Sequence, residues 1–312
     1  MKKKPLIILT GPTSVGKTTL SIKLAKAVDG EIISADSMQV YRHMDIGTAK
    51  ITQEEMCGVS HYLIDTFEPE EEFNVVKFKE YALSYMEQIY QRGKIPILVG
   101  GTGFYIQAVL YDINFTENEA DSSYREELVQ LAQDMGNEYL HKMLESVDME
   151  SADAIHPNNT KRVIRALEYY KQTGDKISSH NEEQRGNESP YKFYYFVLNN
   201  ERSKLYQSID QRVDLMMQRG LLDEVKTLAN RGYTRDLVSM QGLGYKELFA
   251  YLEGQLSYEE AVETIKKATR HFAKRQITWF KREKDVIWIN KNEFENEADI
   301  LSAMLELLKQ IK

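Results

Sequence analysis

The sequence predicts an α/β fold in which helices cover a parallel β-sheet, and three observations support this. Short apolar segments typical of strands lie at 6–9, 31–34, 95–99, 194–198 and 286–289. Segments of helical periodicity separate them, which is the alternation of a parallel sheet with crossover helices. A glycine-rich turn joins the first strand to the first helix, and it defines the kind of sheet more closely.

That turn carries the phosphate-binding pattern G-x-x-x-x-G-K-[ST] in GPTSVGKT. Glycines let backbone N–H groups turn toward an anion, the helix directs its positive end at that anion, and the lysine adds a charge. The hydroxyl of Thr18 can hold Mg²⁺. The pattern predicts a P-loop NTPase-like core that binds a pyrophosphate group, without specifying the reaction. The predicted pyrophosphate site consists of Gly11, Thr13, Ser14, Val15, Gly16, Lys17 and Thr18.

Composition narrows the class of protein. The chain has 312 residues, a net charge of −8 and one cysteine, Cys57, which excludes an internal disulfide framework. The apolar run near the start is too short for a signal peptide and leads into the P-loop, and no run is long enough to span a membrane. We therefore expect a cytoplasmic protein without membrane association. Composition does not determine the oligomeric state, for which we expect a monomer.

A charged, helical stretch delays the fourth strand. Ser123 and Glu126 form a capping-box pattern at its start, and an asparagine start and a glycine stop bound NNTKRVIRALEYYKQTG. Its tail, SSHNEEQRGNESP, reads as a polar loop. We therefore divide the chain into a core, 1–113 plus 190–312, which includes C-terminal helices, and an inserted helical domain, 114–189.

The third strand lacks the acid that phosphoryl transfer requires. P-loop kinases carry an Asp at the end of such a strand, where it holds Mg²⁺. Here the strand in KIPILVGGTGFYIQ ends in Gly100 and Gly101, and Thr102 and Gly103 follow. Small residues suit a wall that another molecule approaches closely, although a tight turn without chemical role is the alternative.

Asp36 follows the second strand, at the sheet edge where ligands of α/β folds bind. A carboxylate beside a phosphate site can hold Mg²⁺, cap a helix or act as a general base. Periodicity does not choose among these roles.

Five motifs follow one another in the chain: GPTSVGKT, ADSMQVYRHMDIGTAK, GGTGFY, HPNNTKRVIRALEYY and AKRQITWF. Together they resemble the tRNA dimethylallyltransferase family, also called tRNA isopentenyltransferase, in its bacterial form. That family transfers a five-carbon group from dimethylallyl pyrophosphate to the exocyclic amine of the adenosine on the 3′ side of the anticodon. The resemblance implies that pyrophosphate is a leaving group and that a tRNA anticodon stem-loop is the partner.

The resemblance also implies roles for single residues. Lys17 and P-loop amides would neutralise the departing pyrophosphate, with Mg²⁺ held partly by Thr18. Thr102 would lie near the bridging oxygen, and Arg212 would contact pyrophosphate, although its pattern alone indicates a solvated helix charge. Asp36 would accept the proton of the adenine amine. Ser37, Met38 and Gln39 would line the pocket of the flipped base.

Two basic stretches offer RNA contacts despite the acidic total. Residues 266–284 contain eight Lys or Arg and one Glu, with aromatic residues between them. The alternative is that helical spacing buries Phe272, Trp279 and Phe280 in an ordinary core. The predicted tRNA contacts, besides 36–39, are Lys274, Arg275, Gln276, Trp279 and Lys281, with Lys161, Arg162 and Arg165 as a second basic face.

Three other functions remain as alternatives. An adenylate isopentenyltransferase would use similar motifs on a free nucleotide, but the helical insertion and the basic C-terminal helix favour RNA. A nucleotide kinase is disfavoured by the missing acid. A non-catalytic RNA-binding or GTP-switch protein would leave Asp36 and Thr102 without a reason to lie beside the P-loop.

Overall fold

A computed structural model describes residues 3–115 and 122–309 of the chain. Its internal contacts divide the chain into two compact units, Met1–Leu110 with Pro190–Lys312 and Tyr111–Ser189. We call the first the core unit and the second the helical unit. The sequence placed the start of the insertion at 114 and its end at 189.

A parallel sheet forms the centre of the core unit, which confirms the predicted fold class. Within the described residues it has six strands in the order β3-β2-β4-β1-β5-β6. The strands are β1 Lys4–Thr10, β2 Gly30–Ser34, β3 His61–Tyr62, β4 Ile95–Gly100, β5 Tyr191–Asn199 and β6 Val286–Asn290. All but β3 were predicted. This edge strand has two residues, too few to produce an apolar pattern.

The helices surround this sheet and build the helical unit. In chain order they are α1 Lys17–Val28, α2 Val75–Gln91, α3 Gly103–Leu110, α4 Ser122–Met135, α5 Asn137–Val147, α6 Met149–Ala154, α7 Thr160–Thr173, α8 Ile177–Arg185, α9 Arg202–Gln218, α10 Leu221–Asn230, α11 Tyr245–Leu252, α12 Tyr258–Phe280 and α13 Glu297–Leu308. Short 3₁₀ turns lie at Ser239–Gln241 and Lys291–Glu293. None of the helices in these ranges is long and apolar enough to cross a membrane.

The apolar core of the core unit lies between the sheet and its helices. Strand β2 is buried along its whole length, and the last five residues of β1 are buried as well. Such continuous burial is typical of strands covered on both faces. One extensive cluster joins residues of the strands to α1, α9, α12 and α13.

Parallel pairing aligns the carboxyl ends of β1, β2 and β4 at one edge. Thr10 pairs with Gly100, and Ser34 pairs with Val99. A Cβ on Gly100 would lie 2.1 Å from the Ala35 carbonyl oxygen, so only glycine allows the chain to pass there. The Thr102 N–H donates to that same oxygen at 3.2 Å. The segments that begin at Asp36 and Thr102 therefore leave the sheet side by side.

The helical unit consists of α4 to α8 and packs around its own apolar cluster, which includes Leu128, Leu140, Leu144 and Val163. Helix α7 has Asn159 as its N-cap and ends at Gly174 in the left-handed conformation, as predicted. Helix α4 begins at Ser122, so Ser123 lies inside its first turn and the predicted N-cap is wrong.

Helix α8 occupies residues 178–185 of the tail that was predicted to be a polar loop, and only 186–190 lack helical structure. Its first turn is capped by a carboxylate distant in sequence: Asp148 accepts hydrogen bonds from the Ser178 N–H at 3.0 Å and from the Ser178 hydroxyl at 2.7 Å. Asp148 is also bound by Ser151 and is almost fully buried. The helix depends on a partner thirty residues away, which explains why local composition indicated a loop.

Candidate active site

One cavity of about 700 Å³ opens at the carboxyl edge of the sheet in the core unit. Its walls are the P-loop, the chain after β2, the turn after β4 and one face each of α9 and α12. The α9 face consists of Ser208, Ile209, Arg212, Val213 and Met216, which follow helical spacing. This site combines a phosphate cradle with an apolar wall.

The P-loop has the backbone conformation that an anion cradle needs. Gly16 is the N-cap of α1 with φ of 96°, and Gly11 has φ of 142°. A Cβ on Gly11 would lie 2.3 Å from the Leu198 carbonyl oxygen, so the glycine is required by space as well. The Ser14 hydroxyl is buried and has no hydrogen-bond partner within the described residues. An anion oxygen would give that donor its missing partner.

Two cations face the cradle. The Lys17 ammonium donates to the carbonyl oxygens of Gly11 and Pro12 at 3.0 and 2.8 Å. Burial and the charge of Arg212 lower the pKa of Lys17 to about 7, while the charge of Asp36 raises it. Burial also lowers the pKa of Arg212, opposed by Asp36. These cations repel each other without a ligand, so a bound polyanion relieves an existing cost.

The two carboxylate oxygens of Asp36 differ in their contacts: one accepts hydrogen bonds from nearby backbone groups, and the other accepts none within the described residues. Its Oδ1 accepts hydrogen bonds from the backbone N–H groups of Met38 and Gln39 at 2.8 and 3.3 Å. No group in residues 3–115 or 122–309 donates to Oδ2, and Asp36 lines the cavity. The carboxylate therefore caps a turn and not a helix, which was one of the predicted roles, and it still has an oxygen that can accept a proton.

The residues after Asp36 support the same wall. The Gln39 side-chain amide donates to the carbonyl oxygens of Thr48 and Ala49 at 3.3 and 3.4 Å. Met38 packs on Gly242, where an added Cβ would lie 2.6 Å from the methionine Cε. Ser37, Met38 and Gln39 all line the cavity, so the structure brings the predicted base pocket next to the phosphate cradle.

Gln276 joins two walls of the cavity. Its Oε1 accepts from the Thr13 N–H at 2.9 Å, and its Nε2 donates to the Gly101 carbonyl oxygen at 3.0 Å. Its amide thus holds the P-loop against the turn that carries Thr102, which also lines the cavity. A contact between Gln276 and tRNA stays a prediction.

The aromatic residues of α12 divide between core and cavity. Phe280 is fully buried, whereas Phe272 lines the cavity. The Trp279 ring packs against Gly103, where a Cβ would lie 2.2 Å from its Nε1, and against Phe104. Trp279 therefore supports the turn after β4, and its contact with tRNA stays a prediction.

The basic charges of α12 are only partly available. Lys266 pairs with Asp214 at 2.7 Å, and Arg270 pairs with Asp210, both acids lying on α9. In the described part of the chain, six exposed cations of this stretch make no ion pair: Lys267, Lys274, Arg275, Lys281, Arg282 and Lys284. Arg275 also borders the cavity and lies 5.7 Å from the Phe272 ring centroid.

The second predicted basic face lies on α7 of the helical unit. Lys161 and Arg162 are exposed in its first turn, and Arg165 is half-buried one turn later. These residues are not among those that line the cavity. Their role in RNA binding stays a prediction.

Comparison with known proteins identifies the family. The family model described as IPP transferase matches residues 39–283, which is most of the chain. The chain belongs to the IPP transferase family. It is 65% identical to the tRNA dimethylallyltransferase of Lachnoclostridium phytofermentans over 307 residues, which cover 98% of each chain.

Solved structures of IPP transferases resemble it along nearly the whole chain. A tRNA delta(2)-isopentenylpyrophosphate transferase from Staphylococcus epidermidis has 44% identity and a TM-score of 0.74, with 99% of this chain and 100% of that chain covered. A eukaryotic dimethylallyltransferase acting on tRNA has 30% identity and a TM-score of 0.81, with 98% of this chain and 79% of that chain covered.

Sequence reasoning missed part of the cavity wall of this IPP transferase. The chain at 47–49 and the loop from Val238 to Lys246 line the cavity beside the predicted residues. The glycines of QGLGY were the available signal, because Gly242 permits the contact with Met38.

Proposed function

We propose that this protein transfers a dimethylallyl group from dimethylallyl pyrophosphate to the exocyclic amine of the tRNA adenosine 3′-adjacent to the anticodon. The observation that carries the proposal is the pairing, in one cavity, of a two-cation phosphate cradle with a carboxylate that keeps a free oxygen. The names of its relatives, which describe transfer of dimethylallyl or isopentenyl groups to tRNA, support it.

The cradle suits a pyrophosphate leaving group. As the bond between the allylic carbon and the bridging oxygen breaks, negative charge grows on the pyrophosphate. Lys17, Arg212 and the Ser14 hydroxyl are positioned to stabilise that charge. Thr102 borders the same space and can donate to the bridging oxygen. Strand β4 ends in glycines instead of an acid, which favours this chemistry over phosphoryl transfer.

Asp36 is suited to accept the proton that the reaction releases. The exocyclic amine of adenine is a poor nucleophile, because its lone pair is delocalised into the ring. As the new carbon–nitrogen bond forms, the amine loses one proton to Oδ2 of Asp36, while pyrophosphate leaves with the electron pair of the broken bond. The N–H groups of Met38 and Gln39 hold the other carboxylate oxygen in place.

The residues at this site could hold Mg²⁺ together with oxygens of the substrate. No three His, Cys, Asp or Glu side chains of the described residues are grouped to hold a metal by themselves. Mg²⁺ usually binds one or two protein oxygens together with water and phosphate oxygens, and the Thr18 hydroxyl at the start of α1 provides one. When bound, the ion would neutralise pyrophosphate charge.

An exposed stripe on α12 favours RNA over a free nucleotide as the acceptor. Lys267, His271, Lys274, Thr278 and Lys281 are all exposed and recur at helical spacing. They span about 21 Å along the helix axis at 1.5 Å per residue. A free nucleotide has too few phosphates to use such a stripe, whereas an RNA backbone can follow it.

One assay tests the proposal against its alternatives. The protein is incubated with labelled dimethylallyl pyrophosphate, Mg²⁺ and one acceptor: tRNA, AMP or ATP. We expect label in tRNA alone, and no label when the target adenosine is replaced by guanosine. Label in AMP or ATP would establish an adenylate isopentenyltransferase, and label in none of the acceptors would refute transferase activity.

A further inference from the structure

The chain between β2 and β3 carries the proposed base but has little regular structure. From Asp36 to Lys50 it contains turns and one isolated bridge, between Tyr41 and Phe67. We call residues 36–50 the base segment. Backbone groups outside helices and sheets need other partners, and a catalytic carboxylate needs a fixed position. Something outside the segment must supply both.

Glu224 supplies those partners at the far end of the base segment. Its Oε2 accepts from the N–H groups of Asp45 and Ile46 at 2.9 and 2.7 Å, and its Oε1 accepts from the Gly47 N–H at 3.1 Å. Three successive backbone donors thus converge on one carboxylate of α10. Such charge-assisted bonds are stronger than neutral ones.

Tyr245, the first residue of α11, completes this contact. Its hydroxyl donates to Glu224 Oε1 at 2.7 Å, and its side chain is almost fully buried. Its ring lies directly on Gly47, where an added Cβ would be 2.5 Å from Cε2. The carboxylate and the ring therefore both contact Gly47.

The contact is connected to Asp36 through Gln39. The peptide fixed by Glu224 continues into Thr48 and Ala49, whose carbonyl oxygens receive the Gln39 side chain. The Gln39 N–H in turn donates to Asp36 Oδ1. The chain of bonds from α10 to the proposed base is thus continuous, and none of its members belongs to the P-loop.

We propose that Glu224 is a positioning residue for the transfer reaction, which holds the base segment so that Asp36 meets the adenine amine. The inference rests on the proposed function. This role separates donor binding from proton transfer. The cradle binds the donor without Glu224, whereas the position of the proton acceptor depends on Glu224. A displacement of about 1 Å in a reacting group can lower a rate by about 10²-fold.

Glu224→Gln tests this with little change in shape. The glutamine keeps one acceptor oxygen and places an amide donor where the second oxygen was. It therefore loses either the two bonds from the Asp45 and Ile46 N–H groups or the bond from the Gly47 N–H, and in the second case the Tyr245 hydroxyl can only accept from the amide. Asp223→Asn is the matched control, because Asp223 is the preceding residue of α10, is 81% exposed and makes no bond to the base segment.

We expect the single-turnover rate of transfer to tRNA to fall about 10²-fold in Glu224→Gln and to stay within twofold of wild type in Asp223→Asn. Donor affinity and thermal midpoint should match the control. Hydrogen exchange at the amides of 45–47 should be faster in Glu224→Gln alone. Tyr245→Phe, which keeps the ring and removes one bond, should show a smaller fall in rate.

An unchanged rate in Glu224→Gln overturns the inference, as does a loss of donor affinity as large as the loss of rate. If Glu224→Gln does not fold, Tyr245→Phe decides, and an unchanged rate there also overturns it. Failure of the proposed function is distinguishable, because wild-type protein would then label no tRNA. A positive wild-type reaction with a normal Glu224→Gln rate contradicts only the role of Glu224.

Discussion

The P-loop and the base segment border the same cavity, but they hold their shapes by different means. The P-loop lies between β1 and α1, and its left-handed residues, Gly16 among them, determine its conformation. The base segment is not enclosed between a strand and a helix in this way, and side chains hold it instead. Glu224 of α10 binds its backbone, and Lys50, a member of the segment that is only 4% exposed, ties Tyr41, Asp45 and Asp65 together.

The difference separates two tasks of the site. A cradle for phosphate needs backbone donors at a strand-to-helix turn, which a short local sequence can provide. A proton acceptor needs one carboxylate at one position relative to a substrate, which long-range contacts provide. We therefore expect substitutions in the P-loop to alter handling of the donor, and substitutions in the base segment to alter the chemical step.

The largest expected effect is that of Asp36→Asn. Asparagine retains an oxygen for the N–H groups of Met38 and Gln39, but it removes the charge and the free carboxylate oxygen. The single-turnover rate should fall by about 10²–10⁴-fold, with tRNA affinity almost unchanged. Substantial rescue by added Mg²⁺ would show that Asp36 orders the metal instead of accepting the proton.

The rate of Asp36→Asn must be measured at more than one pH, because Asp36 also affects the charge of Lys17. The charge of Asp36 raises the pKa of Lys17, so its removal lowers that pKa further below about 7. A fall in rate seen at pH 7.5 but absent at pH 6 would therefore reflect loss of the Lys17 charge. A fall present at both values belongs to Asp36.

Loss of a cation from the cradle should have a somewhat smaller effect. Lys17→Ala and Arg212→Ala each remove one charge that stabilises the leaving pyrophosphate, at a cost of about 2.7–4 kcal/mol in the transition state. Donor turnover should fall accordingly, while tRNA affinity stays near wild type. Lys23→Ala is the control, because Lys23 lies on α1 in an exposed ion pair with Glu297. Wild-type turnover in either cradle variant would contradict its assigned role.

Pyrophosphate affinity should depend on pH through Lys17. A bound anion favours the charged lysine, so its pKa rises on binding and the complex takes up a proton. Affinity is then fully present below about pH 7 and falls by up to tenfold per unit as pH rises through that value. Calorimetric titration of wild type and Lys17→Arg measures this, because arginine stays charged. Identical pH profiles of the two proteins would contradict the low pKa.

The smallest effect belongs to three exposed cations at 274–281, which belong to neither region. Replacing Lys274, Arg275 and Lys281 by Gln should weaken tRNA binding and reduce its salt slope by about one for each phosphate that is no longer neutralised. Single-turnover transfer at saturating tRNA should be normal. A matched variant with Lys4, Lys23 and Lys309 replaced removes equal charge from ion pairs elsewhere. Equal slopes in the two variants would place the RNA elsewhere.

Much of the core unit was predictable from local sequence, and the reason is physical. Apolar runs long enough to pass through a buried sheet mark β1 and β4 directly. The glycines of the P-loop determine its backbone conformation, and Lys17 provides its charge. Both act within a few residues, so a short sequence pattern reveals them. The absence of an acid after β4 is likewise a local fact, and it distinguishes this cavity from a kinase site on sequence alone.

Other parts of the site had no local signal. The pattern around Arg212 indicated a solvated charge, whereas α9 directs it into the cavity with Asp36. The basic run of α12 suggested eight available charges, but Lys266 and Arg270 are paired with acids of α9. In each case the partner lies dozens of residues away, at a distance that periodicity does not encode.

The sequence by itself determined the parallel sheet, the P-loop, the missing acid and the family. Only the tertiary structure decided that Asp148 caps α8, that Gln276 joins the P-loop to Gly101, and that Glu224 holds the base segment. Each is a buried or half-buried polar group satisfying backbone groups of a distant element. Backbone bonds within an element follow from its own residues, whereas bonds between elements exist only after the chain has brought them together.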